Sequence, residues 1–249
     1  MQAKARQLRG QAAIIGIGYA YTTEDDVLKS PLRLITEACR EAILDAHVDK
    51  KKVNGLLTQR PPNADLHPQY NSLIANELKI VPTFSTEITI HGAGIATAIR
   101  LATLAVFTGV ADFVLCTTGD TGNIWITDKI RTNAFTEADH QFEAPYGPLT
   151  PSLYAQIAQR HMYEFGTTSA QLAKVAVEHR KWAVKHPYAG MRDRGLITID
   201  DVLNSKMIAS PLHLLDCAPR CKIGTAGAFI VASAEVAERY TEKPIWILG

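Results

Sequence analysis

Apolar positions along the chain alternate between short unbroken runs and longer stretches in which they recur three and four residues apart. Residues 12–18, AAIIGIG, are an unbroken run ending in glycines, the pattern of a strand buried on both faces. Ser30 and Pro31 then supply an N-cap and a first-turn proline. Behind them Leu32, Ile35, Cys39, Ala42, Ile43 and Ala46 lay a single apolar stripe along a helix. VNGLLT (53–58) predicts a second strand, PQYNSLIANEL (68–78) a second helix, TFSTEITI (83–90) a third strand and DFVLCTTG (112–119) a fourth. Strands alternating with helices predict an α/β fold with right-handed crossovers and a mainly parallel sheet.

From residue 119 the pattern breaks. GNIWITDKIRTNAFTEADHQFEAPYG (122–147) mixes aromatics and charges without a period and predicts a loop region over the sheet edge. Thr150 and Pro151 open a helix that runs to about Phe165, where Gly166 can supply a left-handed stop. Thr168 and Gln171 have capping-box spacing for another helix, with Leu172, Val175, Ala176, His179, Trp182 and Ala183 along one side. Asp200 and Asp201 suit the positive end of a short helix beginning near Thr198. The β/α pattern resumes at GAFIVAS (227–233), followed by a helix over 234–240 and a last strand in PIWILG (244–249). The organisation expected is one α/β core from 1–118 and 222–249, with 119–221 inserted as a helical loop domain.

The third strand runs through glycines straight into a helix: EITIHGAGIATAIRLATLAVFTG (87–109). Such a turn usually presents a nucleophile or cradles an anion on backbone N–H groups. This one offers His91, Gly92, Ala93 and Gly94, with no Ser, Cys or Lys among them. From Ile95 to Phe107 the helix behind it carries one strongly polar residue, Arg100, and two threonines. A helix apolar all round is normally buried on every side. The chain has too few further strands for a second sheet, so the helix is expected to be covered by a layer that these residues do not supply.

Composition narrows the class. The 249 residues are 47% apolar and 20% charged, with a formal net charge of +1, which gives no electrostatic case for nucleic acid or an anionic membrane. No apolar run reaches the roughly 18 residues of a membrane span, and MQAKARQLRGQ lacks the long apolar segment of a secretory signal. Four cysteines do not make a disulfide framework. A cytoplasmic protein is expected.

The stretches IRLATLAVFTGVADFVLC (99–116), APYGPLTPSLYAQIAQRHMYEFGTT (144–168), LAKVAVEHRKWAVKHP (172–187) and SPLHLLDC (210–217) together resemble the thiolase superfamily, in particular its sterol-carrier-protein and lipid-transfer-protein-like members. The resemblance implies two similar halves stacked as αβαβα layers, with the helix after the nucleophile turn sandwiched between two sheets. That is the covering layer which composition alone demands. The family's Gly-His-Pro and Cys-x-Gly motifs, carried by its C-terminal half, do not occur in the sequence. The resemblance therefore assigns this chain to the N-terminal half, with PIWILG as the first strand of the second half and the remainder in a longer form or a partner subunit.

In thiolases the quoted turn carries an acyl-accepting cysteine in a Cys-x-x-Gly pattern. Matching Gly94 to that glycine puts the cysteine position at His91, and matching the helix without a gap puts it at Gly92; neither is a thiol. Covalent acyl transfer needs an activated nucleophile. The resemblance instead favours homologues that lack the cysteine and cleave β-hydroxyacyl-CoA by retro-aldol chemistry, including aldolases of steroid side-chain breakdown that work with an OB-fold and zinc-ribbon partner. On this reading a coenzyme A thioester is the substrate, no cofactor is covalently bound and no metal is required. Gly92 and Gly94 would frame an oxyanion hole, and His91 is a candidate acid or base or simply fills space beside a tight turn. Tyr146 and Gly147, in the Ala-Pro-Tyr-Gly stretch that borders the family's substrate channel, are candidate pocket residues. A homodimer through strand 83–90 is implied as well. Two alternatives stay open: a non-catalytic acyl-CoA- or lipid-binding or scaffolding subunit, and an acyltransferase with a displaced nucleophile.

Other signals are weaker. Gly16-x-Gly18 and Gly92-x-Gly94 both lack the third glycine of a dinucleotide fingerprint, and close helix–strand packing accounts for them as well. Cys217 and Cys221 have no second metal-spaced pair and are read as free thiols, and Cys39 and Cys116 as core residues. Arg160, His161, His179, Arg180 and Lys181 make the later helices basic, as a solvated face or as contacts to coenzyme A phosphates.

Overall fold

The structure is a computed structural model that describes residues 8–22, 29–61, 67–121, 139–147, 150–217 and 224–249. The chain divides into two compact units, Met1–Asn123 with Ile223–Gly249, and Ile124–Lys222.

The first unit is an α/β layer structure. Strand β1 (Ala12–Tyr21) leads to helix α1 (Pro31–Asp45), β2 (Gly55–Gln59), α2 (Tyr70–Leu78), β3 (Phe84–Ile88), α3 (Gly94–Phe107) and β4 (Phe113–Asp120). After the second unit the chain returns as β7 (Thr225–Ser233), α7 (Ala234–Tyr240) and β8 (Ile245–Trp246). The six strands form one sheet in the order β3-β2-β4-β7-β1-β8.

The expected mainly parallel sheet is corrected to a mixed one. β2 pairs in parallel with β3 and β4, but β7 runs antiparallel between β4 and β1, and β8 runs antiparallel on the outer edge of β1. The crossover rule fixes only strands joined directly by helices. β7 enters after an inserted unit, and its direction is free of that rule. Ile245 and Trp246, expected to open a second half, pair instead with Ile14 and Ala13 of this sheet.

Helices α1, α2 and α7 cover one face, with Leu34, Ile35, Tyr70, Ile74 and Ala237 packed on Leu56, Leu115 and Ile230. The start of α1 is built as its sequence predicts: Ser30 Oγ accepts from the Arg33 N–H at 3.2 Å, and Pro31 follows it. β1 lies directly under α1. A Cβ on Gly16 would stand 2.5 Å from the Ala46 nitrogen, and one on Gly18 would collide with the Ala38 carbonyl. These glycines are therefore contact points between strand and helix, not a phosphate-binding turn. Burial on both faces holds only for the first half of β1, since Ile17 is 61% exposed.

The other face is covered by α3. Gly94, Ala98, Ala102 and Ala105 face Leu57, Val114, Cys116 and Val231, the small side chains letting the helix axis approach the sheet. Thr103 and Thr97 return their hydroxyls to the carbonyls of Ile99 and Ala93 at 2.8 and 3.0 Å, which satisfies them without solvent. Ala96, Arg100, Leu104 and Phe107 form the opposite flank, with Leu104 38% and Phe107 46% exposed. One side of an almost wholly apolar helix is thus left uncovered by this unit, as its composition predicts.

The second unit holds α4 (Thr150–Phe165), α5 (Ser169–Ala183), α6 (Ile199–Leu203) and a hairpin of β5 (Met207–Ala209) and β6 (Leu212–His213). Gly166 ends α4 at φ +66°, and Thr168 with Gln171 makes the capping box that opens α5. Thr198 and Asp201 make a second one for α6. The expected stripe on α5 is displaced: Ala173 and Val177 form its core contact with Val202 of α6, while Val175 and Trp182 are exposed. Small residues win that position because the two helices pack where side chains are shortest.

Candidate functional site

The parallel register sets Gln59 of β2 beside Ile88 of β3 on one side and Thr118 of β4 on the other. Their carboxyl ends form the rim where parallel α/β sheets bind ligands. β3 runs on through Thr89 and Ile90 into a 3-10 turn, His91–Ala93, held by the Ala93 N–H donating to the Ile90 carbonyl at 3.0 Å. α3 begins at Gly94, and Ala93 at its N-cap supplies no side-chain bond. The positive end of a long helix therefore meets the turn with its first N–H groups uncapped by a side chain.

The two glycines of the turn differ. A Cβ on Gly94 would overlap the carboxamide of Gln59, so packing accounts for that glycine. Gly92 is exposed, has no positive φ, and a Cβ there would meet nothing within 4 Å. Neither backbone nor packing requires a glycine at 92. What its missing side chain leaves is open space in front of backbone N–H groups, as close approach by a ligand needs. His91 contributes its backbone to the turn, and its side chain lies outside the described residues.

Polar groups on the flanking strands hold this rim. Glu87 Oε1 on β3 accepts from the N–H groups of Tyr70 and Asn71 at 2.7 and 3.3 Å, capping α2 from across the sheet edge. Its Oε2 stands 4.0 Å from Arg60 Nε, and Arg60 also donates to the His67 carbonyl at 3.5 Å. Asn71 Nδ2 donates to Ser85 Oγ at 2.8 Å. Gln59, Arg60 and Glu87 were not among the residues expected at the site. The signal for one of them is in the sequence, since Glu87 is the only charge in the strand pattern TFSTEITI.

Beside the turn a groove of about 450 Å³ runs along the uncovered flank of α3. Ala93, Ala96, Thr97 and Arg100 line it from α3 and the turn, and Leu8, Arg9, Ile247 and Leu248 complete the lining.

The buried thiols are not poised for chemistry. Cys116 lies under α3 with Sγ 4.0 Å from the Ala98 carbonyl, and burial together with the nearby Cys39 pushes its pKa up. Burial likewise pushes Cys39 up to about 12. Both therefore stay protonated and inaccessible, the opposite of an activated nucleophile. Cys217 is half-buried and also raised by desolvation. Cys221 lies outside the described residues. Among the described residues no cluster of three or more His, Cys, Asp or Glu could hold a metal, and no helix is long and apolar enough to cross a membrane.

Tyr146 and Gly147 belong to the second unit. Tyr146 ends a 3-10 turn with 88% of its surface exposed, and Gly147 closes that turn at φ +61°. The basic residues of α4 and α5 are engaged locally: Arg160 with Glu164, His161 with the Thr167 hydroxyl at 2.9 Å, Lys181 with Glu178 at 2.8 Å and Arg180 with the Gly195 carbonyl at 3.1 Å. His179 is exposed.

No protein-family model matches the chain. It is similar to an acetyl-CoA acetyltransferase of Methanothermobacter thermautotrophicus, 36% identical over 218 residues that cover 86% of this chain and 55% of that protein. It is similar as well to a steroid side-chain-cleaving aldolase of Thermomonospora curvata, 33% identical over 251 residues, 97% of this chain and 62% of the relative. Among solved structures an Ltp2-ChsH2(DUF35) aldolase superposes with a TM-score of 0.81 at 31% identity, over 97% of this chain and 60% of that one. The chain thus spans 55% and 62% of the length of these two curated relatives. Its α/β layers, its glycine turn at the head of an apolar helix with one uncovered flank and these likenesses agree: the chain belongs to the thiolase superfamily, among its sterol-carrier-protein-like members.

Proposed function

We propose that this chain binds a coenzyme A thioester and takes part in retro-aldol carbon–carbon cleavage of a β-hydroxyacyl-CoA, in the breakdown of a steroid or lipid side chain. The observation that carries the reading is the turn itself, which keeps the helix-borne donors and the open space at Gly92 of an acyl-binding site but has no thiol. The likeness to a steroid side-chain-cleaving aldolase supports it. In such a cleavage a base takes the β-hydroxyl proton, the Cα–Cβ bond breaks as the new carbonyl forms, and the electron pair passes to the thioester as an enolate that is protonated at Cα. Backbone N–H groups at His91 and Gly92 would stabilise the enolate oxygen, His91 is the candidate for proton transfer, and the groove along α3 suits an apolar acyl or steroid group. Gly94 holds the turn in place, and Tyr146 and Gly147 are assigned to the substrate channel.

The reading extends to partners. The free edge of β3 is available for a homodimer, and the likeness to an aldolase complex with a DUF35 chain favours an OB-fold and zinc-ribbon partner. Residues 119–221 are assigned as the inserted loop domain, and the cytoplasm as the compartment. The likeness to an acetyl-CoA acetyltransferase favours a second reading, acyl transfer. It lacks a nucleophile in the turn, and the protonated, buried Cys39 and Cys116 do not replace one.

The test is turnover of a steroid β-hydroxyacyl-CoA by the chain expressed with its partner, followed by mass spectrometry. Equal release of a ketone and a shortened acyl-CoA is the expected result. Acetyl transfer to coenzyme A without aldol cleavage would overturn it, and thioester binding without any turnover would leave the non-catalytic role.

A further inference from the structure

At the end of the sheet opposite the turn, the amino ends of β2 and β4 and helix α7 enclose a cleft of about 400 Å³. β2 separates it from the Gln59 rim by five residues, roughly 15 Å of strand. Its rim is cationic. Lys51 and Lys52 lie on the 3-10 turn Lys50–Lys52, which Asp49 fixes by accepting from the Lys51 N–H at 3.0 Å. Arg239 projects from α7 on the other side. Lys52 is held rather than free: its ammonium donates to the Tyr240 hydroxyl at 3.1 Å and stands 5.9 Å from the centre of that ring. With its oxygen accepting from Lys52, the Tyr240 hydroxyl has its own proton to donate.

The floor is apolar and fixed. Tyr240 packs edge-on against Phe113 with ring centres 5.1 Å apart, and Val236 lies beside it. The one carboxylate on the lining, Asp112, is engaged by Asn54 Nδ2 at 3.0 Å, while Asn54 Oδ1 accepts from the Asp112 and Phe113 N–H groups at 2.9 and 3.2 Å. Arg239 pairs with Glu235 of its own helix, an exposed pair of the kind that holds its partners weakly, so its guanidinium can turn to a bound anion.

We propose that this cleft binds a phosphorylated small molecule of the nucleoside phosphate class, with phosphate oxygens on Lys51, Lys52, Arg239 and the Tyr240 hydroxyl and the planar group over Tyr240 and Val236. A cationic rim that includes the Tyr240 hydroxyl, beside an apolar floor of Tyr240, Phe113 and Val236, matches such a molecule better than a free inorganic anion, which would leave the floor unused. The hydrogen bond that Lys52 donates to the Tyr240 hydroxyl holds its ammonium above the usual lysine range. The site is separate from the thioester site and does not rest on the proposed cleavage.

The experiment is calorimetric titration of the full chain with ADP and with pyrophosphate at low salt, on the parent and on Lys52→Ala, Tyr240→Phe and Arg239→Ala. Saturable ADP binding is expected, tighter than pyrophosphate and weakened about tenfold or more by Lys52→Ala, as loss of a charged hydrogen bond requires. Circular dichroism checks that each variant is folded. Thioester turnover by Lys52→Ala is expected to match the parent. The proposal fails if ADP does not bind saturably or if pyrophosphate binds as tightly. It fails equally if the three variants bind like the parent while Gly92→Val abolishes binding, which would put the nucleotide at the thioester site.

Discussion

The carboxamide of Gln59, at the end of β2, fills the space that a Cβ on Gly94 would need at the start of α3. Strand and helix are thereby keyed to each other beside the turn. Gly94→Ala is expected to cost about 1 kcal/mol or less in urea unfolding, the low end for overpacking, because the end of the Gln59 side chain can swing aside. Because the obstacle is a side chain and not backbone, Gln59→Ala should recover most of that loss. A double-mutant cycle measures it, and additive effects of the two substitutions would mean that the keying is illusory.

Gly92 should behave in the opposite way. Nothing restricts a Cβ there, and its φ is not in the left-handed region. Gly92→Ala is therefore expected to leave stability unchanged or raise it by about 0.4–1 kcal/mol through the unfolded chain. On the proposed function the same substitution puts a methyl group where the thioester would approach the backbone donors. A fall in kcat/KM of at least about tenfold, larger for Gly92→Val, is the expected outcome, consistent with loss of one oxyanion contact. Full activity in Gly92→Val would remove the turn from the substrate site.

Features written in neighbouring residues were legible in the sequence, and those set by distant pairing were not. Ser30 with Pro31 and Thr168 with Gln171 fix helix starts within a few residues and appear as expected; a helix start near Thr198 was legible too, but not that Thr198 and Asp201 form its capping box. The uncovered flank of α3 followed from composition alone. The antiparallel entry of β7 depends on contacts between residues 113–120 and 225–232, which no local pattern encodes. Likewise the roles of Gln59 and Glu87 come from partners far along the chain, Gly94 and the N-terminus of α2. In α5 the period was visible but the buried face was not, because small residues rather than large ones make the contact with α6.

Strand β1 gives a stricter case of close approach. A Cβ on Gly18 would strike the carbonyl and amide backbone of α1 at Ala38 and Ala42, which no rotamer change can move. Gly18→Ala is expected to destabilise the first unit by about 3 kcal/mol, the upper end for a single added methyl group, with no rescue by trimming neighbouring side chains. A loss under about 0.5 kcal/mol in denaturant would show that the helix is not seated on the strand.

Thiol reactivity separates aldol chemistry from a displaced nucleophile. With Cys39 pushed up to about 12 and Cys116 raised further by burial, neither forms thiolate near neutral pH. Iodoacetamide at pH 8 should label Cys217 in the native protein and spare Cys39 and Cys116, which peptide mapping by mass spectrometry resolves. Cys116→Ala should lower stability by about 1 kcal/mol through the lost buried sulfur and leave turnover of folded enzyme unchanged. Rapid native labelling of Cys116, or loss of turnover in that variant, would favour acyl transfer over aldol cleavage.

The start of α6 should be sensitive to acid. Asp201 accepts from the Thr198 N–H and hydroxyl, both at 2.7 Å, and these bonds hold its carboxyl below the usual range. A carboxyl with a lowered folded pKa contributes stability above its unfolded value, near 4, and loses that contribution as pH falls through the folded value. Hydrogen exchange of amides 199–204 should therefore accelerate relative to the rest of the chain below about pH 4. In Asp201→Asn the carboxamide can still accept from the Thr198 N–H but has no charge to lose, so that acceleration should vanish. The two proteins should then differ at neutral pH, where the parent is better protected, and converge in acid. Parallel profiles across the whole range would place the acid sensitivity elsewhere in the second unit.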